Sequence, residues 1–164
     1  MNKNVLRKLS YGVYIVSTLD GERPTGCVAN SIMQVTQDTV AISINHENFT
    51  NECIKKSGKI AISILGTGIE QNTIPIFGFQ SGRERNKFDN IESIDIDGLK
   101  VIKSAAGYII CELVNSVETE THTVFICKIT NGDVLNEQIP MTYAYYHQVI
   151  KGNSPNTAPT SIAE

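Results

Sequence analysis

Residues 25–50, TGCVANSIMQVTQDTVAISINHENFT, leave the backbone few choices. Residues 39–45 alternate strictly, with Val40, Ile42 and Ile44 on one face and Thr39, Ala41, Ser43 and Asn45 on the other. That is the period of a half-buried strand. Residues 25–35 read as a preceding strand, and Gln37-Asp38 turn one into the other. Downstream, Asn48 or Thr50 can cap a short helix through Cys53 and Ile54, with Lys55 and Lys56 in its last turn and Gly58 as its stop. Two details go beyond scaffold. Cys27, Ala29, Asn30 and Ser31 are small or polar where a plain core strand would carry bulk. The second strand also runs straight into a helix N-terminus, where free N–H groups and the positive end of the dipole hold anions. The stretch therefore suits a flat, phosphorylated small molecule.

The rest of the chain repeats the strand theme. Asn2 or Asn4 can cap a short helix carrying Val5, Leu6 and Leu9, stopped at Gly12. Residues 13–18 form a β-branched and aromatic strand, and Asp20-Gly21 is a hairpin signal. Ile60, Ile62 and Ile64 mark another strand. Residues 91–103 read as a connection that turns at Asp97-Gly98 and ends in a short strand. Residues 107–117 and 121–130 are two long strand candidates, the second ended by Asn131-Gly132. Strands at such short spacing, with few and short helices, predict an antiparallel barrel with helical decorations in a single domain spanning residues 1–164. An extended tail from about residue 152 carries prolines and no periodicity, so it is disordered or ordered only against a partner.

Composition removes several functions. With 14 basic residues against 17 acidic ones, the net charge of -3 gives no basic face for nucleic acid. No apolar run approaches the roughly 20 residues of a membrane span. The cysteines at 27, 53, 111 and 127 form no CxxC pair, and His46, His122 and His147 fall at no zinc-ligand spacing, so no metal site is expected. Reduced thiols and a start without an apolar signal core point to a cytoplasmic protein. Gly66-Thr67-Gly68 invites a dinucleotide fingerprint, but position 71 is Gln and no series of alternating strands and long helices surrounds it. The run FGFQSGRERNKF, residues 77–88, has two uses open to it. It is a solvated charged loop, or it is a phosphate clamp in which Arg83 offers a planar fork and Lys87 a point charge.

Six segments in order, GVYIVST, GCVANSIMQVT, VAISIN with NFT, GFQSGRERNKF, ETHTVFICKI and MTYAYYHQVIKG, resemble the flavin reductase-like FMN-binding split-barrel proteins. The branch they are most similar to holds flavoredoxins and the flavin domain of rubredoxin oxidoreductases. The resemblance implies a homodimeric split β-barrel that binds FMN and takes hydride from NADH or NADPH. Electrons then pass to free flavin, ferric iron or a small redox protein such as rubredoxin. It implies that Cys27, Val28, Ala29, Asn30 and Ser31 lie along the isoalloxazine ring. Ser43, Asn45, Asn48 and Thr50 would serve the ribityl chain and phosphate. Ser81, Gly82, Arg83 and Lys87 would complete the phosphate site, with Phe88 packed nearby. His122 matches a histidine that faces the nicotinamide, and Tyr145, Tyr146 and His147 match an aromatic border of the pocket. Where the family has Gly-Asp before that histidine, this chain has Glu120-Thr121, and Cys127 stands where a glycine is common. The alternative is an FMN-binding electron-transfer module that does not itself oxidise NAD(P)H.

Overall fold

Two residues decide the architecture. Asn30 and Ser31 alone separate β2 (Arg23–Ala29) from β3 (Ile32–Thr36), yet these strands occupy opposite edges of one seven-stranded sheet. A sheet whose first and last strands are joined by two residues must curl until its edges meet, which makes a barrel split along one seam. The computed structural model describes residues 1–160. The sheet order is β2, β1 (Tyr14–Asp20), β5 (Lys59–Ile64), β8 (Gly107–Glu118), β9 (His122–Val134), β4 (Thr39–Asn45) and β3, antiparallel throughout. Beside the seam the β3–β4 ladder runs one residue further, the Ser43 amide donating to the Ser31 carbonyl at 3.0 Å. The sequence reading ran residues 25–35 as one strand; the seam breaks it, because the chain crosses there from one edge to the other.

Helix α1 (Phe49–Ser57) plugs one end of the barrel, and its buried Asn51 fixes where it starts. The Asn51 amide donates to the Ile44 carbonyl and the Thr123 hydroxyl, both at 3.0 Å, so the helix N-terminus is pinned to the β4–β9 pair. Ile42, Ile44, Ile54, Ile60, Ile62 and Phe125 fill the interior beneath it. The alternation read in residues 39–45 holds, since Val40, Ile42 and Ile44 are buried and their neighbours half-buried. Outside the barrel, α2 (Thr73–Phe79) and the short helical segment α3 (Tyr143–Tyr145), which continues as a π turn through Ile150, pack over Val13, Ile15, Leu65 and Met141. Pro75 sits in the first turn of α2, where its missing N–H costs nothing.

Three expectations need correction. The N-terminal helix is a 3-10 turn over Lys3–Lys8, capped by Asn2, and it buries no residue. Residues 91–103 turn at Asp97-Gly98 and end in a short strand, β7 (Leu99–Ile102), as expected. The stretch before the turn, however, is a strand too, β6 (Ser93–Ile96), so the two make a hairpin of their own. Asp97 and Gly98 both take positive φ, 52° and 82°, as its tight turn demands. Asn131-Gly132 does not end its strand: β9 continues to Val134, with Asn131 opposite Ile110 and Gly132 opposite Ile109. The Asn131 side chain ties to Asp97 across to the small hairpin, so the pair serves packing and not a turn. Among the described residues no helix is long and apolar enough to cross a membrane.

Candidate functional site

Two adjoining cavities open along the seam, one polar and one apolar. Val28, Asn48, Gly78, Pro155 and Thr157 line both. The polar cavity, about 120 Å³, lies between β2, the start of α1 and the loop after α2, and takes in Cys27, Thr50, Ser81, Gly82 and Lys87. The apolar one continues along Ala29, Asn30, Ser43, Ile44 and Asn45 to Tyr143 and Tyr146. Because β2 is an edge strand, one row of its backbone donors and acceptors has no strand partner, and it borders this cleft.

Lys87 dominates the polar cavity. It is only 5% exposed, and its Nζ donates to the Gly26 carbonyl at 2.7 Å and the Phe77 carbonyl at 3.1 Å. Among the described residues no carboxylate pairs with it. Burial pulls its pKa below the ordinary lysine value, with the Cys27 thiol opposing that shift. A buried cation without a counter-charge is expensive, and an anion in the cavity would offset the cost. The start of α1 adds to this. Asn48 caps it without a side-chain hydrogen bond, and among the described residues the Phe49 and Thr50 amides donate to nothing. The hydroxyl of Thr25, buried, also lacks a partner. Gly82 presses on that hydroxyl so closely that a Cβ there would lie 2.3 Å from Thr25 Oγ1. This donor set, a cation, free helix amides and hydroxyls beside a glycine that brings the backbone close, fits a phosphate.

The other sequence-predicted residues divide. Cys27 is buried beside Thr50 and Lys87, and burial pushes its thiol pKa up, so it is a neutral lining group. Ser31 stands outside both cavities and donates to Asn30 Oδ1 at 3.1 Å. Arg83 points away: its guanidinium pairs with Glu52 at 2.6 Å and lies over the Phe49 ring, 4.6 Å from the centroid. Phe88 is core, edge-to-face with Phe77 at 4.9 Å, and holds the loop that carries Lys87. His122 opens β9 directly across from Asn45. Its Nδ1 meets the Thr121 hydroxyl at 2.7 Å, while its Nε2 is buried without a hydrogen-bonded partner. Burial lowers its pKa, the nearby Thr157 backbone opposes the shift, and His46 adds to it. Tyr146 lines the apolar cavity; Tyr145 packs behind it and His147 hydrogen-bonds Ser154.

Sequence reasoning missed Thr25, Tyr143 and residues 153–159. Thr25 lies two residues before Cys27 on the same strand face, and Tyr143 one short turn before Tyr146, so periodicity could have found both. Nothing in the tail gives such a signal.

A split barrel with a phosphate-fitting cavity opening onto an apolar slot defines a cleft for a phosphorylated planar ligand. The flavin reductase like domain model matches residues 6–154, and the chain belongs to that family. It is 41% identical over 164 residues to a high molecular weight rubredoxin of Moorella thermoacetica, covering 98% of this chain and 72% of that protein. It is 33% identical to a ferric-chelate reductase (NAD(P)H) of Archaeoglobus fulgidus, covering 96% of each. The native-state structure of flavin reductase PheA2 superposes with a TM-score of 0.73 at 29% identity, covering 85% of this chain and 89% of that one.

Proposed function

We propose that this protein binds FMN and works as an oxidoreductase that takes hydride from NAD(P)H and hands electrons to an acceptor. The observation that carries the reading is Lys87, a buried cation aimed with the free amides of α1 into a cavity that continues as an apolar slot. Lys87, Ser81, Gly82, Thr50 and Thr25 would hold the phosphate. Ser43, Asn45 and Asn48 would meet the ribityl chain, and the unpaired edge of β2 at residues 27–30 would donate to the ring. When bound, FMN supplies two-electron hydride acceptance and one-electron release. The chain's own residues bind, orient and keep water out, the last through Tyr143, Tyr146 and Val28. His122, neutral at physiological pH because burial lowers its pKa, offers a polar contact to the nicotinamide without a competing positive charge.

A relative named for rubredoxin and another for ferric-chelate reduction support a one-electron acceptor, either a small redox protein or chelated iron. Exposed apolar side chains, Met33 and Val35 on β3 and Val114 and Val117 on β8, support a homodimer. Four free buried thiols suit a reducing compartment such as the cytoplasm. The second reading, an electron-transfer module without NAD(P)H oxidation, is favoured by one feature. Thr121, where the family carries Asp, ties up His122 Nδ1. Anaerobic mixing of FMN-loaded protein with NADH or NADPH separates the two. Bleaching near 450 nm (about where oxidised flavins absorb) is expected, and lasting yellow colour with both donors refutes direct NAD(P)H oxidation.

A further inference from the structure

Residues 153–160 run as an irregular, turn-containing strap across the apolar cavity. Tyr146 donates its hydroxyl to the Asn153 carbonyl at 2.9 Å. Ser154 bonds the Tyr143 hydroxyl and, at 3.0 Å, His147 Nε2. Asn30, in the heart of the proposed ring site, donates its side-chain amide to Thr160 Oγ1 at 2.7 Å. Between these anchors Pro155, Thr157, Ala158 and Pro159 form the roof, turned by an Ala158 N–H to Pro155 carbonyl bond of 3.0 Å. The space beneath is about 40 Å³. Ligand pockets for molecules of flavin size enclose roughly 300 Å³ or more. The strap and a three-ring ligand claim the same volume.

We propose that residues 153–160 form a displaceable strap that competes with the planar ring for this slot, so that ligand binding requires the strap to swing out. The inference rests on the FMN reading above. The strap is built for release. It contains no regular hydrogen-bonded element, and its holds are a few side-chain bonds, two of them to the single residue Ser154. Its strongest grip on the ring site is Asn30, whose amide is then denied to a ligand. The strap spans both cavities through Pro155 and Thr157, so its departure opens the phosphate site as well as the slot. Only molecules with the strap out can bind, so the apparent Kd is the intrinsic Kd divided by the strap-out fraction, and weakening the anchors must therefore tighten ligand binding.

The test compares the wild-type chain with Ser154→Ala/Thr160→Ala, two changes outside the core, each stripped of flavin and titrated with FMN by fluorescence quenching. The double variant is expected to bind FMN about 5-fold or more tightly and to associate faster. Hydrogen exchange gives a second readout: adding FMN to wild-type protein should speed exchange at the Ala158 amide. Equal or weaker binding by the variant, with Ala158 equally or better protected, overturns the strap and leaves the FMN site standing. Absence of FMN binding by both folded proteins overturns the FMN reading and the strap with it.

Discussion

Replacing Lys87 with Met tests whether the polar cavity is a phosphate site or merely a place where a loop is fastened. Met keeps the length of the stem and removes the ammonium. The lysine is 5% exposed and already spends two donors on the Gly26 and Phe77 carbonyls, at 2.7 and 3.1 Å. A third N–H and the whole charge remain for an anion. A charge-assisted hydrogen bond is worth about 1.5–3 kcal/mol, so losing it should weaken FMN binding about 10- to 150-fold. Two carbonyls would lose their donor, which destabilises the folded protein by about 1–3 kcal/mol, offset by no longer burying a charge. The two effects separate by ligand. Riboflavin has the same ring and chain as FMN but no phosphate, so its affinity should change little. The assay is quenching of flavin fluorescence for both ligands on both proteins, with urea unfolding as the control for stability. Equal loss of FMN and riboflavin would show Lys87 to be a strut. Unchanged FMN affinity in a folded variant would remove the phosphate from this cavity altogether.

Arg83→Ala should alter FMN affinity by less than about 1 kcal/mol, because that guanidinium is spent on Glu52 and Phe49 at the exposed rim. A loss as large as that of the Lys87 variant, in the same quenching titration, would place Arg83 on the phosphate. His122 gives a pH dependence. Its folded pKa lies below the ordinary 6.5, so as pH falls the unfolded chain takes up the proton first. Stability should therefore rise with pH between the lowered value and 6.5 and be level above it. Urea midpoints from about pH 5 to 7 should show that slope in wild type and a smaller one in His122→Gln; identical slopes would clear His122 of the effect.

Strict alternation made β4 legible, and cap chemistry did the same for α1, because each depends on residues close in sequence. Strand spacing made an antiparallel barrel legible, and the split in it came only through the resemblance. That residues 30 and 31 cross from one edge of the sheet to the other is a fact of sheet order, and no local pattern encodes it. Site residues show the same division. Cys27 to Asn30, Ser43 and Asn45 gather at the two cavities because they lie on or beside strands whose pairing is set by the core. Arg83 and Lys87 looked alike in the sequence, two cations four residues apart in one loop. Phe88 behind the loop and the Gly26 and Phe77 carbonyls draw Lys87 inward, while Glu52 draws Arg83 out. The strap left no trace, since hydroxyls and prolines without periodicity fit a free tail equally well.

The Asn30-Ser31 crossing also bears on how the protein folds. The β1–β2 and β3–β4 hairpins can each form early from near neighbours, but they meet at the crossing only after β5, β8 and β9 have linked β1 to β4 through contacts far apart along the chain. The cleft lies on that last-made joint, so it cannot exist in a half-assembled sheet. A ligand bound there would act as a late brace on the whole barrel, and a loop inserted between Asn30 and Ser31 would unseat the cleft before it disturbed the core.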